Sequence, residues 1–167
     1  MSELIRNGQH VGKSTPILSL GPEETPDTAV IPEHPVLVPL SVWKAHQQSP
    51  AGLPSQVEGV WLSPKDDPGE LLAVLNHVSV IALHFPAVNE GRPYSIAALL
   101  RARYDYTGEL RAIGVVQRDY LHALRRVGFN AFEIENPEEA LQGLHVFSEV
   151  YQASADQPLP LFRRKTA

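Results

Sequence analysis

Five short apolar runs, each followed by a segment with helical periodicity, constrain this chain more than any other feature of its sequence. The runs are residues 36–40, 57–62, 80–85, 110–116 and 131–134. Strands that alternate with helices over short connections form mainly parallel sheets with right-handed crossovers. We therefore expect an α/β fold of five β-α units. Its sheet would be either open and doubly wound or curved like part of a barrel.

Capping residues mark where the helices between these strands should begin. Asp67 and Asn136 each precede a Pro, with a Glu three residues after the cap, which is a typical composition for a first helical turn. Ser95 and Asp119 are the expected caps of the two helices in between. Gly128 is the expected end of the second of these helices.

The amino-terminal region differs from the rest of the chain. An Asn7-Gly8 pair between apolar residues is a strong signal for a two-residue hairpin turn. Eight of the 15 prolines lie between residues 16 and 54, and proline interrupts helices and central strands. We therefore divide the chain into a hairpin (1–13), a Pro-rich connector (14–35), a single α/β domain (36–154) and a flexible tail (155–167).

Composition excludes several classes of function. The chain contains no cysteine, so it cannot by itself form a disulfide, a thiol nucleophile or a cysteine-bound metal centre. Its seven histidines show no pair at metal-ligand spacing, and we expect no metal site. No apolar stretch reaches the roughly 20 residues of a membrane helix, and the net charge of −5 argues against a nucleic-acid binder. These features predict a soluble cytoplasmic protein with no membrane or nucleic-acid partner.

The positive charge is concentrated in the middle of the chain. Residues 86–126 carry seven Arg, no Lys and four acidic residues, whereas the segments on either side are net negative. Arg presents a planar fork of N–H donors that suits carboxylates, phosphates and sulfur oxyanions. The alternative is that these Arg residues pair with nearby acids such as Glu90, Glu109 or Asp119 and only fix the loops.

Two of these Arg residues stand in loops that follow predicted strands. Arg92 precedes the predicted cap Ser95, and Arg118 precedes Asp119. The carboxyl ends of parallel strands form the usual binding edge of α/β folds, and helix amino ends attract anions. We therefore predict an oxyanion pocket or a partner-binding rim at this edge. Its candidate residues are Arg92, Tyr94, Ser95, Arg101, Arg103, Arg111 and Arg118.

A block of residues between Phe85 and Phe132 carries a likeness to a known family. The block comprises Phe85-Pro86, Gly91-Arg92, Tyr94-Ser95, Leu100-Arg101, Arg103-Tyr104, residues 108–112, Gly114, Arg118-Asp119, Gly128-Phe129 and Ala131-Phe132. It resembles a proteobacterial family of unknown function whose members are commonly described as probable oxidoreductases of sulfite reduction. The sequence departs from the family pattern at Val115 and Asn130, where Asp is usual.

The resemblance implies a role in assimilatory sulfite reduction, with sulfite reductase as the partner. Because the chain has no cysteine, no nucleotide fingerprint and no clustered metal ligands, we expect an accessory protein and not the reducing catalyst. It would bind an oxyanion or its partner through the Arg-lined rim. No cofactor is evident in the sequence. A flavin held by irregular loops needs no short motif, so the sequence does not exclude flavin binding. It does not exclude a homo-oligomer either.

Two other functions fit the same residues. The first is a small-molecule enzyme, either an oxidoreductase or an acid–base catalyst, that acts on an anionic substrate at the same rim. Its candidate catalytic bases are Asp119 and Glu109. The second is a structural adaptor whose Arg-rich segment binds another protein.

Overall fold

The computed structural model describes residues 2–47, 53–73, 75–146, 152–155, 157–160 and 163. Within these residues lie seven strands: β1 (Glu3–Arg6), β2 (Gln9–Lys13), β3 (Val36–Pro39), β4 (Val57–Leu62), β5 (Val80–Phe85), β6 (Glu109–Gly114) and β7 (Ala131–Ile134). The α-helices are α1 (Leu40–Gln47), α2 (Arg92–Ala102), α3 (Leu121–Val127) and α4 (Pro137–Val146). Short 3₁₀ helices span Pro68–Ala73, Leu75–His77 and Arg118–Tyr120.

The seven strands form one sheet in the order β2-β1-β7-β6-β5-β4-β3. The strands from β3 to β7 are parallel to one another, and the β1–β2 hairpin joins β7 in antiparallel orientation. The hairpin turn has positive φ at both Asn7 (50°) and Gly8 (76°), as a type I′ turn requires. The predicted α/β fold, with a mainly parallel sheet and an amino-terminal hairpin, is therefore confirmed.

The sheet is strongly curved. Ser14 extends the hairpin by donating its N–H to Ser2 O at 3.3 Å, and Pro16 O accepts the N–H of Leu37 on β3 at 2.9 Å. In a flat sheet, five strand spacings of about 4.8 Å would separate β1 from β3 by about 24 Å. The chain from residue 14 to residue 16 spans at most about 7 Å, so the two edges of the sheet must curl toward each other.

The curved sheet does not close into a barrel. Among the described residues, the segment after β2 touches β3 through a single bridge between Ile17 and Leu37, and no ladder joins the two edges. Of the two sheet forms that the sequence leaves open, the structure has the curved one. It therefore has a convex outer face and a partly enclosed concave face.

The convex face packs against the helices and forms the main hydrophobic core. Alternate residues of a strand point to one face, and Ile81, Leu83 and Phe85 of β5 are all buried on this side. They belong to one cluster with helix residues such as Leu100 of α2 and Leu124 of α3. Burial of apolar surface here is the main source of stability.

The concave face is smaller and mixes polar with apolar side chains. Its apolar part is a separate cluster of Leu37, Val80, Ala82 and Ile113, with Trp61 packed against it. The connector reaches this face beside β3, because the indole N–H of Trp61 donates to Leu18 O at 2.7 Å. Pro16 O and Leu18 N–H bond to Leu37, so this part of the predicted connector runs along the edge of the sheet.

The predicted helix after Asp67 forms only as two 3₁₀ helices, Pro68–Ala73 and Leu75–His77. Gly69 stands in the first turn of this segment, and glycine has a low helix propensity. The Asp67 carboxylate accepts the N–H of Gly69 at 2.8 Å, which favours a tight local turn. The prediction of an α-helix here is wrong.

The predicted caps Ser95 and Asp119 are also wrong. Helix α2 begins three residues before Ser95, with Gly91 at the cap position and Pro93 in the first turn, where its fixed φ suits the helix. Asp119 lies inside the 3₁₀ turn that precedes α3, so it does not cap that helix. The predicted end of α3 is confirmed, since Gly128 has a left-handed φ of 115°.

Candidate functional site

The predicted rim begins at the amino end of α2, where Arg92 is the first helical residue. Arg92 is exposed, and among the described residues its guanidinium makes one long contact, from Nη1 to Pro64 O at 3.4 Å. The backbone N–H of Arg92 donates to the Glu90 carboxylate at 3.0 Å. Glu90 therefore fixes the loop through the main chain, and most N–H donors of the Arg92 side chain remain available for a ligand.

Tyr94 and Ser95 lie in the same first turn as Arg92 but have different surroundings. Ser95 is exposed. Tyr94 packs edge-on against Phe85, with 5.6 Å between ring centroids. Burial, and to a lesser extent the neighbouring Tyr120, raises the pKa of the Tyr94 hydroxyl. Tyr94 is therefore neutral at physiological pH and anchors the start of α2 to the end of β5.

Arg118 follows β6 and is already paired. Its Nε lies 3.2 Å from Asp119 Oδ1, and its Nη1 is paired with Glu139 of α4. All three side chains are largely exposed, and such pairs contribute only about 0–1 kcal/mol. Pairing with nearby acids, the alternative that the sequence left open, thus describes Arg118 but not Arg92.

Arg101 and Arg103 lie at the other end of α2 from Arg92, a helix of 11 residues that is about 16 Å long. Arg101 donates to the main-chain carbonyls of Gly128 at 2.9 Å and Gly108 at 3.0 Å. Burial lowers the pKa of its guanidinium, although it stays protonated. Arg101 therefore joins the end of α3 to the loop before β6, while Arg103 is exposed.

Glu109 and Arg111 lie on the concave face, in the amino-terminal half of β6. Arg111 is fully buried, and its Nε donates to Glu109 Oε1 at 2.6 Å. The other carboxylate oxygen lies 2.5 Å from Arg6 Nε. Within the described part of the chain, the two terminal nitrogens of Arg111 have no hydrogen-bond partner. Glu109 is therefore shared between two guanidinium groups inside the sheet.

The structure brings together only part of the predicted site. The residues at the carboxyl edge of the sheet are Arg92, Tyr94, Ser95, Arg118 and Asp119. The residues toward the amino edge or inside the sheet are Arg101, Arg103, Glu109 and Arg111. A helix that follows a parallel strand runs back along the sheet, so it carries its last residues to the opposite edge.

A second group of polar residues lines a small cavity on the concave face, and sequence reasoning missed it. We call this cavity, of about 260 Å³, the inner pocket. Its polar walls come from Ser2, Lys13, Ser14, Thr15, His84 and Glu133. The pocket therefore lies between the segment after β2 and the carboxyl ends of β5, β6 and β7.

His84 is the central titratable group of the inner pocket. Its ring packs edge-on against Trp61 at 6.0 Å, and it makes no hydrogen bond to any described residue. Burial lowers the pKa of His84, and the charge of Glu133 offsets part of this change. The imidazole is therefore neutral at neutral pH and can accept a proton.

A sequence signal for His84 and Glu133 was present. Each is the single polar residue of an otherwise apolar strand and stands just before its last residue. The register aligns His84 with Ile113 of β6, and continuing the β6–β7 register aligns Ile113 with Glu133. Polar side chains at the carboxyl ends of parallel strands are typical of binding sites.

A larger cavity, of about 1350 Å³, lies toward the amino edge of the sheet. Its walls include the hairpin turn, the ends of α2 and α3, and residues 153–155 and 158. Arg101, Arg125 and Arg126 contribute to it, together with Asp105. Of the seven predicted rim residues, Arg101 alone lines this cavity.

The rim and the inner pocket offer N–H, O–H, imidazole and carboxylate groups to a ligand. Within the described ranges, no three His, Asp or Glu side chains come close enough together to hold a metal ion. No helix in that part of the chain is long and apolar enough to cross a membrane.

One protein family matches more than half of the chain. A family model described as "Bacterial protein of unknown function (DUF934)" matches residues 59–162. The matched segment includes Arg92 of the rim and both His84 and Glu133 of the inner pocket. The resemblance to an uncharacterised bacterial family is thereby confirmed. No curated protein and no solved structure matches the chain.

Proposed function

The chain belongs to the DUF934 family of bacterial proteins of unknown function, and we propose that it is an accessory protein of assimilatory sulfite reduction. It would bind an oxyanion, or an anionic group of sulfite reductase, at the amino end of α2. The likeness of the block from Phe85 to Phe132 supports the pathway. The exposed Arg92 guanidinium, with one 3.4 Å contact, is the observation that supports the binding place.

The rim offers several donors to an oxyanion in one helical turn. Arg92 supplies a fork of N–H groups, and Ser95 supplies an exposed hydroxyl at the end of the same turn. The helix dipole adds about 0.3–1 kcal/mol at an exposed amino end. Arg118 contributes less, because Asp119 and Glu139 neutralise its charge.

These donors set the scale of the affinity. A charge-assisted hydrogen bond contributes about 1.5–3 kcal/mol, so that Arg92 and the helix end together provide roughly 2–4 kcal/mol. A dissociation constant of 1 mM corresponds to about 4.1 kcal/mol. We therefore expect free sulfite or sulfate to bind at millimolar concentrations or above. Tighter binding requires a partner surface around the anionic group, which favours an accessory role.

The alternative is a small-molecule enzyme that acts on an anionic substrate at the same rim. Its candidate bases have unsuitable surroundings. Asp119 is exposed and paired with Arg118, and Glu109 is held by Arg6 and Arg111 toward the other edge of the sheet. The geometry at the rim therefore favours binding over acid–base catalysis there.

A pull-down from sulfate-starved cells tests the partner. The wild-type chain should recover a sulfite reductase component, and Arg92→Ala should recover none. Arg103→Ala is a matched control, since Arg103 is also exposed and follows the last residue of the same helix, about 16 Å away. Failure of the wild type to recover the reductase would contradict the proposal, and so would equal recovery with Arg92→Ala.

Thermal melting with sulfite, sulfate and phosphate at about 1–10 mM tests the anion site separately. At least one anion should raise the melting temperature of the wild type but not of Arg92→Ala. Arg92→Lys should show an intermediate shift, because it keeps the charge but loses the planar fork. An equal shift in the wild type and Arg92→Ala would place the anion elsewhere.

A further inference from the structure

The charge inside the inner pocket comes from the carboxylate of Glu133. Glu133 points to the concave face, because Phe132 and Ile134 on either side of it belong to the convex core. Lys13 also contributes to the wall, but its register partner Glu3 is aligned with Ile134. The Lys13 side chain therefore lies on the convex face, and the described side chains that point into the pocket carry a net negative charge.

The charged groups next to the pocket do not reverse this sign. Arg111 shares the concave face of β6, but its Nε pairs with Glu109 at the amino end of that strand, away from the pocket. On another side, the Thr15 hydroxyl in the pocket wall donates to Glu58 Oε2 at 2.7 Å, so a second carboxylate stands behind the wall. The surroundings therefore favour a cation as the ligand of the inner pocket.

The groups that a ligand meets in the pocket are hydrogen-bond acceptors. Ser14 Oγ donates to Glu133 Oε2 at 3.1 Å, and the other carboxylate oxygen receives no hydrogen bond from a described residue. The neutral ring of His84 offers an unprotonated nitrogen, and Ser2 and Ser14 offer hydroxyl oxygens. An ammonium group carries three N–H donors and no acceptor, so it matches this set of acceptors.

The main chain of β6 keeps the His84 ring in place. Gly114 has a φ of 88°, which glycine adopts more readily than other residues. A Cβ at Gly114 would lie 2.9 Å from Nε2 of the His84 ring and 2.6 Å from Phe85 O. On another side, the ring packs edge-on against Trp61. Glycine at this position therefore allows the ring to hold its place, with no side chain from β6 covering Nε2.

The remaining wall is apolar, and the pocket is small. Pro16, Ile17 and Ile113 line it, so a short alkyl chain can bury apolar surface against them. The volume of about 260 Å³ is below the roughly 300–1,000 Å³ of sites for drug-sized ligands. A short aliphatic chain fits this space, whereas a nucleotide or a flavin does not.

We propose that the inner pocket binds a small primary amine in its protonated form, with the ammonium group at Glu133 and His84 and the alkyl chain against Ile113. The positive charge satisfies the carboxylate, and the N–H donors satisfy its free oxygen and the imidazole nitrogen. This site is separate from the rim at Arg92 and does not depend on the role in sulfite reduction.

Titration of the full chain with four small probes tests the proposal, with the imidazole resonances of His84 as the readout. Propylamine carries both the charge and the N–H donors. Tetramethylammonium keeps the charge without a donor, propanol lacks the charge, and propionate reverses it. Propylamine should shift the resonances and bind at least about tenfold more tightly than each other probe. Absence of propylamine binding, or equal binding of tetramethylammonium or propanol, would overturn the proposal.

Four variants complete the experiment. Glu133→Gln should weaken propylamine about tenfold or more, and His84→Phe, which keeps a ring without the acceptor, about threefold or more. Calorimetry measures the affinity in all variants. Glu3→Gln is the matched control, since Glu3 lies on the neighbouring strand and pairs with His10 at 2.9 Å. Glu3→Gln and Arg92→Ala should leave the affinity unchanged. Unchanged affinity in Glu133→Gln, or an equal loss in Glu3→Gln, would overturn the proposal.

Discussion

The two faces of the curved sheet come from the same strands but differ in what they bury. On β5, Ile81, Leu83 and Phe85 face the helices in an apolar core, whereas Ala82 belongs to the concave cluster and His84 lines the inner pocket. Because side chains alternate along a strand, one apolar run supplies both environments. The convex face therefore provides stability, and the concave face holds charged and titratable groups.

The two faces of the sheet differ most in the charge that they bury. The convex cluster consists of apolar and aromatic residues, and burial of their apolar surface is favourable. The concave face buries Arg111 completely, with Glu109 as its partner. Burial of a charge is costly unless the charge is paired, so the stability of this face depends on specific ion pairs.

Breaking the Glu109–Arg111 ion pair on the concave face should have the largest effect on stability. Glu109→Leu leaves Arg111 buried without its carboxylate and should lower the free energy of unfolding by about 3–5 kcal/mol. Arg111→Met, which replaces the charge with an apolar chain of similar length, should cost far less or stabilise the protein. Urea unfolding of both variants measures the difference. Equal losses in the two variants would show that volume and not charge matters here.

Removing a convex core side chain should come next. Leu83→Ala leaves a cavity beside the helices and should cost about 2–5 kcal/mol. It should leave the melting shift with anions unchanged, because Leu83 is buried in the core and lies outside the rim. A loss below about 1 kcal/mol in urea unfolding would mean that the core collapses around the site, and would weaken the contrast between the faces.

A matched glycine pair isolates the close contact behind the inner pocket. Gly114 and Gly12 both have positive φ (88° and 105°), but a Cβ at Gly12 would meet no atom within 4 Å. Both Ala variants carry the strain of a left-handed residue, and Gly114→Ala also clashes with His84. Gly114→Ala should therefore cost about 1–3 kcal/mol more than Gly12→Ala in urea unfolding. Equal costs would show that contact with the His84 ring adds nothing to the destabilisation of Gly114→Ala.

The smallest effect concerns pH. Burial holds the pKa of His84 below 6.5 in the folded chain, so below that pH the unfolded chain binds a proton that the folded chain does not. The free energy of unfolding should therefore fall as the pH drops through 6.5 and level off below the folded pKa. Between pH ~7.5 and ~5.5 the wild type should lose more stability than His84→Gln. Equal losses would show that His84 does not titrate in this range.

Much of the fold was predictable from local sequence. The strands Val57–Leu62, Val80–Phe85 and Ala131–Ile134 coincide with their apolar runs, because turn residues bound each run sharply. The curvature was not predictable. It depends on residues 14–18 reaching β3, a contact between distant parts of the sequence that no local pattern encodes.

The candidate site was predictable only in part. Arg92 and Arg101 are successive arginines in the sequence, but α2 places them at opposite edges of the sheet. Reversal of the chain after a parallel strand implies this separation. His84 stands in an otherwise apolar strand, which is typical of a core residue, whereas its position next to the strand end indicates the pocket.

An amide chemical-shift titration with sulfite tests the central claim that ligand binding is confined to the carboxyl edge, away from the core. Sulfite should shift the amide resonances of Arg92, Tyr94 and Ser95, and these shifts should vanish in the Arg92→Ala variant. Shifts that cluster instead at Arg101 and Arg126, beside the larger cavity, would contradict that claim.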